Sequence, residues 1–165
     1  MQWPTVDSMT IMWETSEPAS SRVDVLLAER IHSGYQGNYK KPEQVITTVS
    51  NEGHSKIHQL TVNGLEAGTV YFYQIHSGNG QINVESGPHP FKTTISEGVP
   101  FSFTVTSETG GYSGFDQTDG MINRNIFSQM QKYRPDFTLF IGDIVNDGSN
   151  YDDWYTYFLA PAANF

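Results

Sequence analysis

Residues Asp136–Gly148 read Asp-Phe-Thr-Leu-Phe-Ile-Gly-Asp-Ile-Val-Asn-Asp-Gly. An apolar run ends abruptly at Gly142-Asp143, and a second acid, Asp147, follows with Gly148 behind it. Such a run bounded by turn residues predicts a short buried strand. A carboxylate at its C-terminal end stands where open α/β sheets present groups for chemistry. The acid-rich loop beyond it suits a hard or borderline cation. Working backwards, Arg134-Pro135 predicts the end of a helix whose Ile122, Ile126, Met130 and Tyr133 recur at helical spacing behind a Thr118/Asp119 cap. Phe101 to Thr106 predicts an earlier strand, and Gly110 to Gly120 a loop rich in Gly, Ser, Thr and Asp. The expected unit is β-α-β, its crossover right-handed and its strands parallel, either adjacent or separated by one strand.

Adjacent strands lie about 4.8 Å apart. Glu108 and Asp143 follow the ends of the two strands, so adjacency brings their carboxylates to one edge of the sheet. Two acids that close repel unless a proton or a metal lies between them. On the residues alone, the other reading is that Asp143 caps a turn and Glu108 is a solvated loop acid.

Composition frames the rest. With 165 residues, 37% hydrophobic and 13% aromatic, the chain can build one large or two small domains. Eighteen acidic against nine basic residues give a net charge of -9, which argues against a nucleic-acid backbone or an anionic membrane surface as partner. Cysteine is absent, so the chain has neither disulfides nor thiolate metal sites. No apolar stretch reaches the length of a membrane span, and Met1-Gln-Trp-Pro does not open a signal peptide.

Up to about Thr94 the pattern has the short period of strands. Met9, Ile11 and Trp13 alternate with Thr10 and Met12, and Val23 with Val25, Val45 to Val49, His58 to Val62, Tyr71 to Ile75 and Ile82 to Val84 follow, separated by turn residues. About six or seven short strands of this kind predict a β-sandwich. Gly78-Asn79-Gly80 is a hairpin signal, and the polar stretch Arg30 to Glu43 reads as a long loop. Ile95 to Pro100 reads as the junction. The expected division is therefore a sandwich over 1–95, a linker over 96–100 and a second domain over 101–165.

Gly64-Leu-Glu-Ala-Gly-Thr-Val-Tyr71-Phe-Tyr73 resembles the tyrosine corner of fibronectin type III domains, in which a Leu precedes the corner Tyr and the tyrosine hydroxyl bonds back to upstream backbone. Tyr71 is the corner tyrosine on that resemblance, and Ala67 stands where a proline is usual. Trp13 supplies the core aromatic.

Phe101 to Gly111, Arg134-Pro-Asp-Phe137 and Gly142-Asp-Ile-Val-Asn-Asp-Gly148 together resemble the first two motif blocks of the calcineurin-like metallophosphoesterases. A fibronectin-type domain ahead of such blocks is the layout of the purple acid phosphatase branch. The resemblance implies a dinuclear metal centre (Fe, Mn or Zn) that activates a hydroxide and clamps the phosphoryl oxygens of a phosphate ester. It also implies a secreted or extracytoplasmic location. Asp143 matches the aspartate that bridges the two metals. Glu108 falls where the family has a first-block aspartate, a departure that moves the carboxylate outward by about 1.5 Å. Asn146 falls where the purple enzymes carry their metal-bound tyrosine, which points to ordinary divalent ions in the parent. The resemblance puts the remaining ligands and the catalytic histidine beyond Phe165, so this chain alone is expected to be inactive.

His32, His54, His58, His76 and His89 all fall in the first part and are read as structural. His54 and His58, four apart on a strand, stand roughly 13 Å apart, too far for one ion. Tyr151 to Tyr157 is read as packing a helix onto the sheet. The alternative to an enzyme portion is a non-catalytic binding or assembly module with a degenerate metallophosphoesterase segment, associating through exposed strand edges.

Overall fold

The computed structural model describes residues 2–27, 44–110 and 118–162. The loop expected over Arg30 to Glu43, with His32, lies wholly outside them, as does most of the Gly110 to Gly120 loop. The chain divides into two compact units, Met1–Val99 and Pro100–Phe165.

The first unit is antiparallel β-sheet. β1 (Gln2–Pro4), β2 (Ser8–Leu27), β3 (Gln44–Asn63), β4 (Val70–Gly78) and β5 (Asn83–Lys92) pair in the order β1-β2-β4-β5, with β3 also on β2. Two of these strands run for 20 residues, where the sequence pattern predicts a larger number of short ones. The reason lies at Glu14–Ser21. Its polar residues and Pro18 read as a break, yet β2 passes through with irregular register between Glu14, Ala19 and Ser21. Pro18 falls in the gap of the ladder, where its missing N–H costs no strand hydrogen bond. The halves on either side of the bend contribute Met9 and Ile11, and Val23 and Val25, to one core with Leu60, Val62, Leu65, Tyr71 and Phe91. The sheet thus folds over a single apolar interior, and burying such side chains contributes about 1.5–3 kcal/mol each.

The arch before β4 is closed by two side chains. The Tyr71 hydroxyl accepts the Glu66 N–H at 3.0 Å, as the corner pattern predicts, and Tyr71 is buried. Thr93 Oγ1 donates to the Glu66 carbonyl at 2.6 Å and accepts from the Thr69 N–H at 3.0 Å. At the Gly78–Gly80 hairpin, Asn79 Oδ1 accepts from the backbone N–H groups of Gln81 and Ile82, each at 2.9 Å.

The second unit contains β6 (Phe103–Thr106), α1 (Thr118–Lys132), β7 (Phe137–Phe140) and a short helical segment. β6 and β7 are adjacent and parallel, with Phe103 opposite Phe137 and Thr106 opposite Phe140. The segment runs as α2 (Tyr151–Asp153), a π-helical stretch Trp154–Leu159 and α3 (Ala160–Ala162). Three expectations need correction here. The strand before Gly142-Asp143 forms as expected but is not buried, with Phe137, Leu139 and Ile141 exposed. α1 does not bury the stripe read from sequence: Ile122, Ile126 and Tyr133 are exposed, and Asn123 and Phe127 are buried instead. Phe127 meets Phe140 and Phe158 edge to face at 5.6 and 6.4 Å, so the aromatic cluster rather than the aliphatic spacing sets the helix rotation. Of the stretch expected to pack, Tyr151 and Tyr155 are exposed, whereas Trp154 and Tyr157 are half-buried and Trp154 meets Phe158 edge to face at 6.4 Å.

Candidate functional site

β6 and β7 end in matching backbone geometry. Glu108 follows β6 with φ 52° and Asp143 follows β7 with φ 46°, both in the left-handed region that non-glycine residues rarely occupy. Gly142, at φ 130°, makes the turn that precedes Asp143. Conformations of this kind cost of order 1–3 kcal/mol and persist where the surroundings over-determine them.

The surroundings do so through bonds between the two loops. The Glu108 N–H donates to the Gly142 carbonyl at 3.2 Å, and the Gly110 N–H donates to the Asp143 carbonyl at 2.9 Å. Thr109 is buried, and its hydroxyl donates to the Ile144 carbonyl at 2.8 Å. From α1, the buried Asn123 amide donates to the Thr109 carbonyl at 2.6 Å and to the Tyr157 carbonyl at 2.8 Å. Gly110 approaches the other loop so closely that a Cβ there would lie 3.0 Å from the Val145 carbonyl carbon and 3.2 Å from Asn146 Oδ1. The structure thus joins the backbones on which Glu108, Asp143 and Asn146 sit, and all three side chains are exposed.

Asp147 serves the turn. Its Oδ1 accepts from the Ser149 N–H at 2.9 Å and hydroxyl at 2.6 Å, and these bonds hold its carboxyl below the ordinary carboxylate value of 3.8. The Asp147 N–H donates to Asp153 Oδ2 at 3.2 Å, and Asn150 Nδ2 donates to Asp153 Oδ1 at 2.9 Å. Asn150 also caps the helical segment, with its Oδ1 accepting from the Asp152 N–H at 3.0 Å. The Trp154 indole donates to the Gly148 carbonyl at 3.0 Å.

Among the described residues, no three His, Asp or Glu side chains group closely enough to hold a metal ion. All five histidines precede residue 100 in the sequence, so the second unit offers oxygen ligands without imidazole. Glu108, Asp143 and Asn146 bring only oxygen donors to these loops, and the described residues form no dinuclear centre. Sequence reading missed Thr109 and Asn123, which lock the loops. The available signal was Asn123 itself, because asparagine inside a helix is intrinsically unfavourable and calls for a partner.

Among the described residues of the first unit, three of the four histidines have polar partners. His58 is buried between Thr15 and Ser21, and His89 Nε2 lies 2.9 Å from the Ser86 hydroxyl. His76 Nε2 stands 3.1 Å from Asp24 Oδ2, and His54 is exposed.

Residues 1–93 match the family model described as purple acid phosphatase, N-terminal domain. A solved structure of PhoD is similar over 87% of this chain and 26% of its own, at 15% identity and a TM-score of 0.54. That likeness concerns the fold, and the chain spans 26% of the length of the PhoD structure. The solution structure of the fibronectin type-III domain of human fibronectin type III domain containing protein 3 covers 58% of this chain and 81% of that domain, at 18% identity and a TM-score of 0.33. No curated protein matches the chain.

Proposed function

The chain belongs to the family that carries the purple acid phosphatase N-terminal domain, and on that premise we propose that it is the N-terminal portion of a metal-dependent phosphoesterase, with a fibronectin-type sandwich ahead of the opening β-α-β of the catalytic domain. The observation that carries the reading is the pairing of Glu108 and Asp143 on left-handed backbone at the ends of two adjacent parallel strands. Acids held in cross-braced loops at strand ends suit a cation site, whereas a solvated loop acid needs no such support.

The residues present fit a metal only in part. Asp143 and Glu108 would supply carboxylate oxygens and Asn146 an amide oxygen. A site for Fe, Mn or Zn also needs nitrogen ligands that residues 100–165 do not contain. When bound, two such ions would activate a hydroxide for attack on a phosphate ester and neutralise the phosphoryl oxygens. This chain's own contribution is positional. Thr109, Gly110 and Asn123 hold the two acid-bearing loops in one register. We place the parent outside the cytoplasm on family likeness alone.

A second reading is supported by Glu108, which stands where the resembled family carries aspartate: the chain is a non-catalytic binding module. One set of measurements separates the two. Titration calorimetry with manganese or zinc should show weak binding that Asp143→Asn and Glu108→Gln each abolish, while a chromogenic phosphate monoester and diester are hydrolysed at background rate. Binding indifferent to both substitutions would remove the proposed site. Metal-dependent turnover lost in Asp143→Asn would show that the chain is itself the enzyme. A stop codon directly after Phe165 would favour the binding module.

A further inference from the structure

Away from that site, one buried titratable side chain ties together the two flanks of the bend in β2. His58 lies opposite Trp13 in the β2–β3 register, at the point where the ladder becomes irregular. Its ring is almost fully buried and stacks on the Trp13 indole at 4.8 Å with an interplanar angle of 10°. Nε2 is 2.9 Å from Thr15 Oγ1 and Nδ1 is 2.7 Å from Ser21 Oγ. Thr15 and Ser21 stand on opposite sides of the interruption, so one imidazole spans it.

The protonation state follows from the hydroxyl inventory. Thr15 Oγ1 donates its single proton to the Glu17 carbonyl at 2.7 Å, so toward His58 it can only accept. Nε2 therefore carries the ring proton. In the neutral ring Nδ1 is bare and accepts the Ser21 hydroxyl proton. A proton added at Nδ1 meets that hydroxyl head-on, and Ser21, itself buried, must turn its O–H away from its partner.

Among the described residues, none recorded against the ring carries a compensating charge. β2 presents Trp13, Thr15 and Ser21 to the ring, and behind Trp13 stands Ser77 of β4, whose hydroxyl accepts the indole N–H at 2.9 Å. All are neutral. Glu14, Glu17 and Lys56, the charged residues nearest in sequence and register, are exposed, and among the described ion pairs none includes His58. Burial accordingly pushes the imidazole below its ordinary value of 6.5. Stacking on the indole favours a cation and offsets part of that penalty.

We propose that His58 is a pH-sensitive pin: proton uptake at Nδ1 reverses the Ser21 hydrogen bond, leaves the buried Ser21 O–H without its acceptor and so loosens the bend that joins the two halves of β2. The neutral pin holds the sheet folded over its core, and the protonated one lets the Thr15–Ser21 segment open while the flanking ladders remain.

The test is an NMR titration of the 165-residue chain from pH 8 to pH 4.5, reading the imidazole nitrogens and the backbone amides together. The expected result is an Nε2–H tautomer at high pH, a His58 midpoint below 6.5, and amide shifts over Thr15–Ser21 that follow that midpoint. In Ser21→Ala the Nδ1 acceptor loses its donor and the midpoint should rise toward the ordinary value. An Nδ1–H tautomer, a midpoint at or above the ordinary value, or bend amides that ignore the midpoint would overturn the proposal, as would an unchanged midpoint in Ser21→Ala.

Discussion

The Tyr71 hydroxyl and the Glu66 backbone nitrogen lie 3.0 Å apart across five residues, and this bond closes the arch leading into β4. Tyr71→Phe leaves the Glu66 N–H without its acceptor while preserving the ring's contact with Phe91, whose centroid is 5.5 Å away. The expected loss is about 1–2 kcal/mol of unfolding free energy, read from urea denaturation at unchanged slope. A loss below about 0.3 kcal/mol would show that water replaces the hydroxyl and that the corner does not clamp the arch.

Gly110→Ala should disturb the braced loops more than its size suggests. The added Cβ meets Val145 carbonyl carbon at 3.0 Å and the Asn146 nitrogen at 3.1 Å, and backbone cannot swing aside as a side chain can. We expect about 1–3 kcal/mol of destabilisation in the second unit and faster amide exchange at Glu108 and Gly110, measured by hydrogen exchange. Exchange rates equal to wild type would mean that the loops yield without strain.

Replacing Glu108 tests the strain directly. At φ 52° a glycine relieves the steric cost of the side chain but adds freedom to the unfolded chain, so Glu108→Gly should be neutral or stabilising by up to about 1 kcal/mol. Glu108→Val, β-branched at the same backbone, should cost about 1–3 kcal/mol. Thermal unfolding of the pair gives the comparison, and equal midpoints would contradict a held left-handed backbone.

Asp24 sets an acid limit on the first unit. Burial raises its pKa, but hydrogen bonds from Thr48 at 2.6 Å and from Arg22 at 2.9 and 3.0 Å, with the charges of Arg22 and His76, bring it below 3.8. A carboxyl whose folded value is depressed binds fewer protons folded than unfolded. Its contribution is therefore complete above about pH 3.8 and disappears as pH falls through the lower folded value. Asp24→Asn should flatten the stability profile in that acid range and lower stability at neutral pH. A profile of the same shape in the variant would assign the acid transition to other carboxylates.

What sequence pattern could reveal was local chemistry with a fixed offset. Leu65 and Tyr71, Gly78 to Gly80, and the apolar run into Gly142-Asp143 each announce a backbone event within a few residues, and each has a counterpart in the structure. The continuity of β2 was hidden because Thr15, Ala19 and Ser21 are buried by partners far along the chain: Thr15 and Ser21 meet His58, and Ser20 Oγ reaches the Gly78 carbonyl at 2.9 Å. The rotation of α1 was hidden for a similar reason. Phe127 and Ile126 are equally apolar on paper, and only Phe140 and Phe158 decide between them. At the site, the positions of Glu108 and Asp143 were legible from strand ends, but their left-handed backbones depend on bonds between loops that no spacing encodes.

The hydrogen bond from the Trp154 indole to the Gly148 carbonyl makes the acidic turn observable by light. Indole emission shifts with the strength of that bond, and the other two of the chain's three tryptophans, Trp3 and Trp13, belong to the first unit. A cation drawn to Asp143 that displaces Gly148 would change the Trp154 contribution, while Trp3→Phe, at a highly exposed position, would clear away most of the solvent-facing background. The turn thus carries an intrinsic fluorophore against which metal titrations can be read without a label.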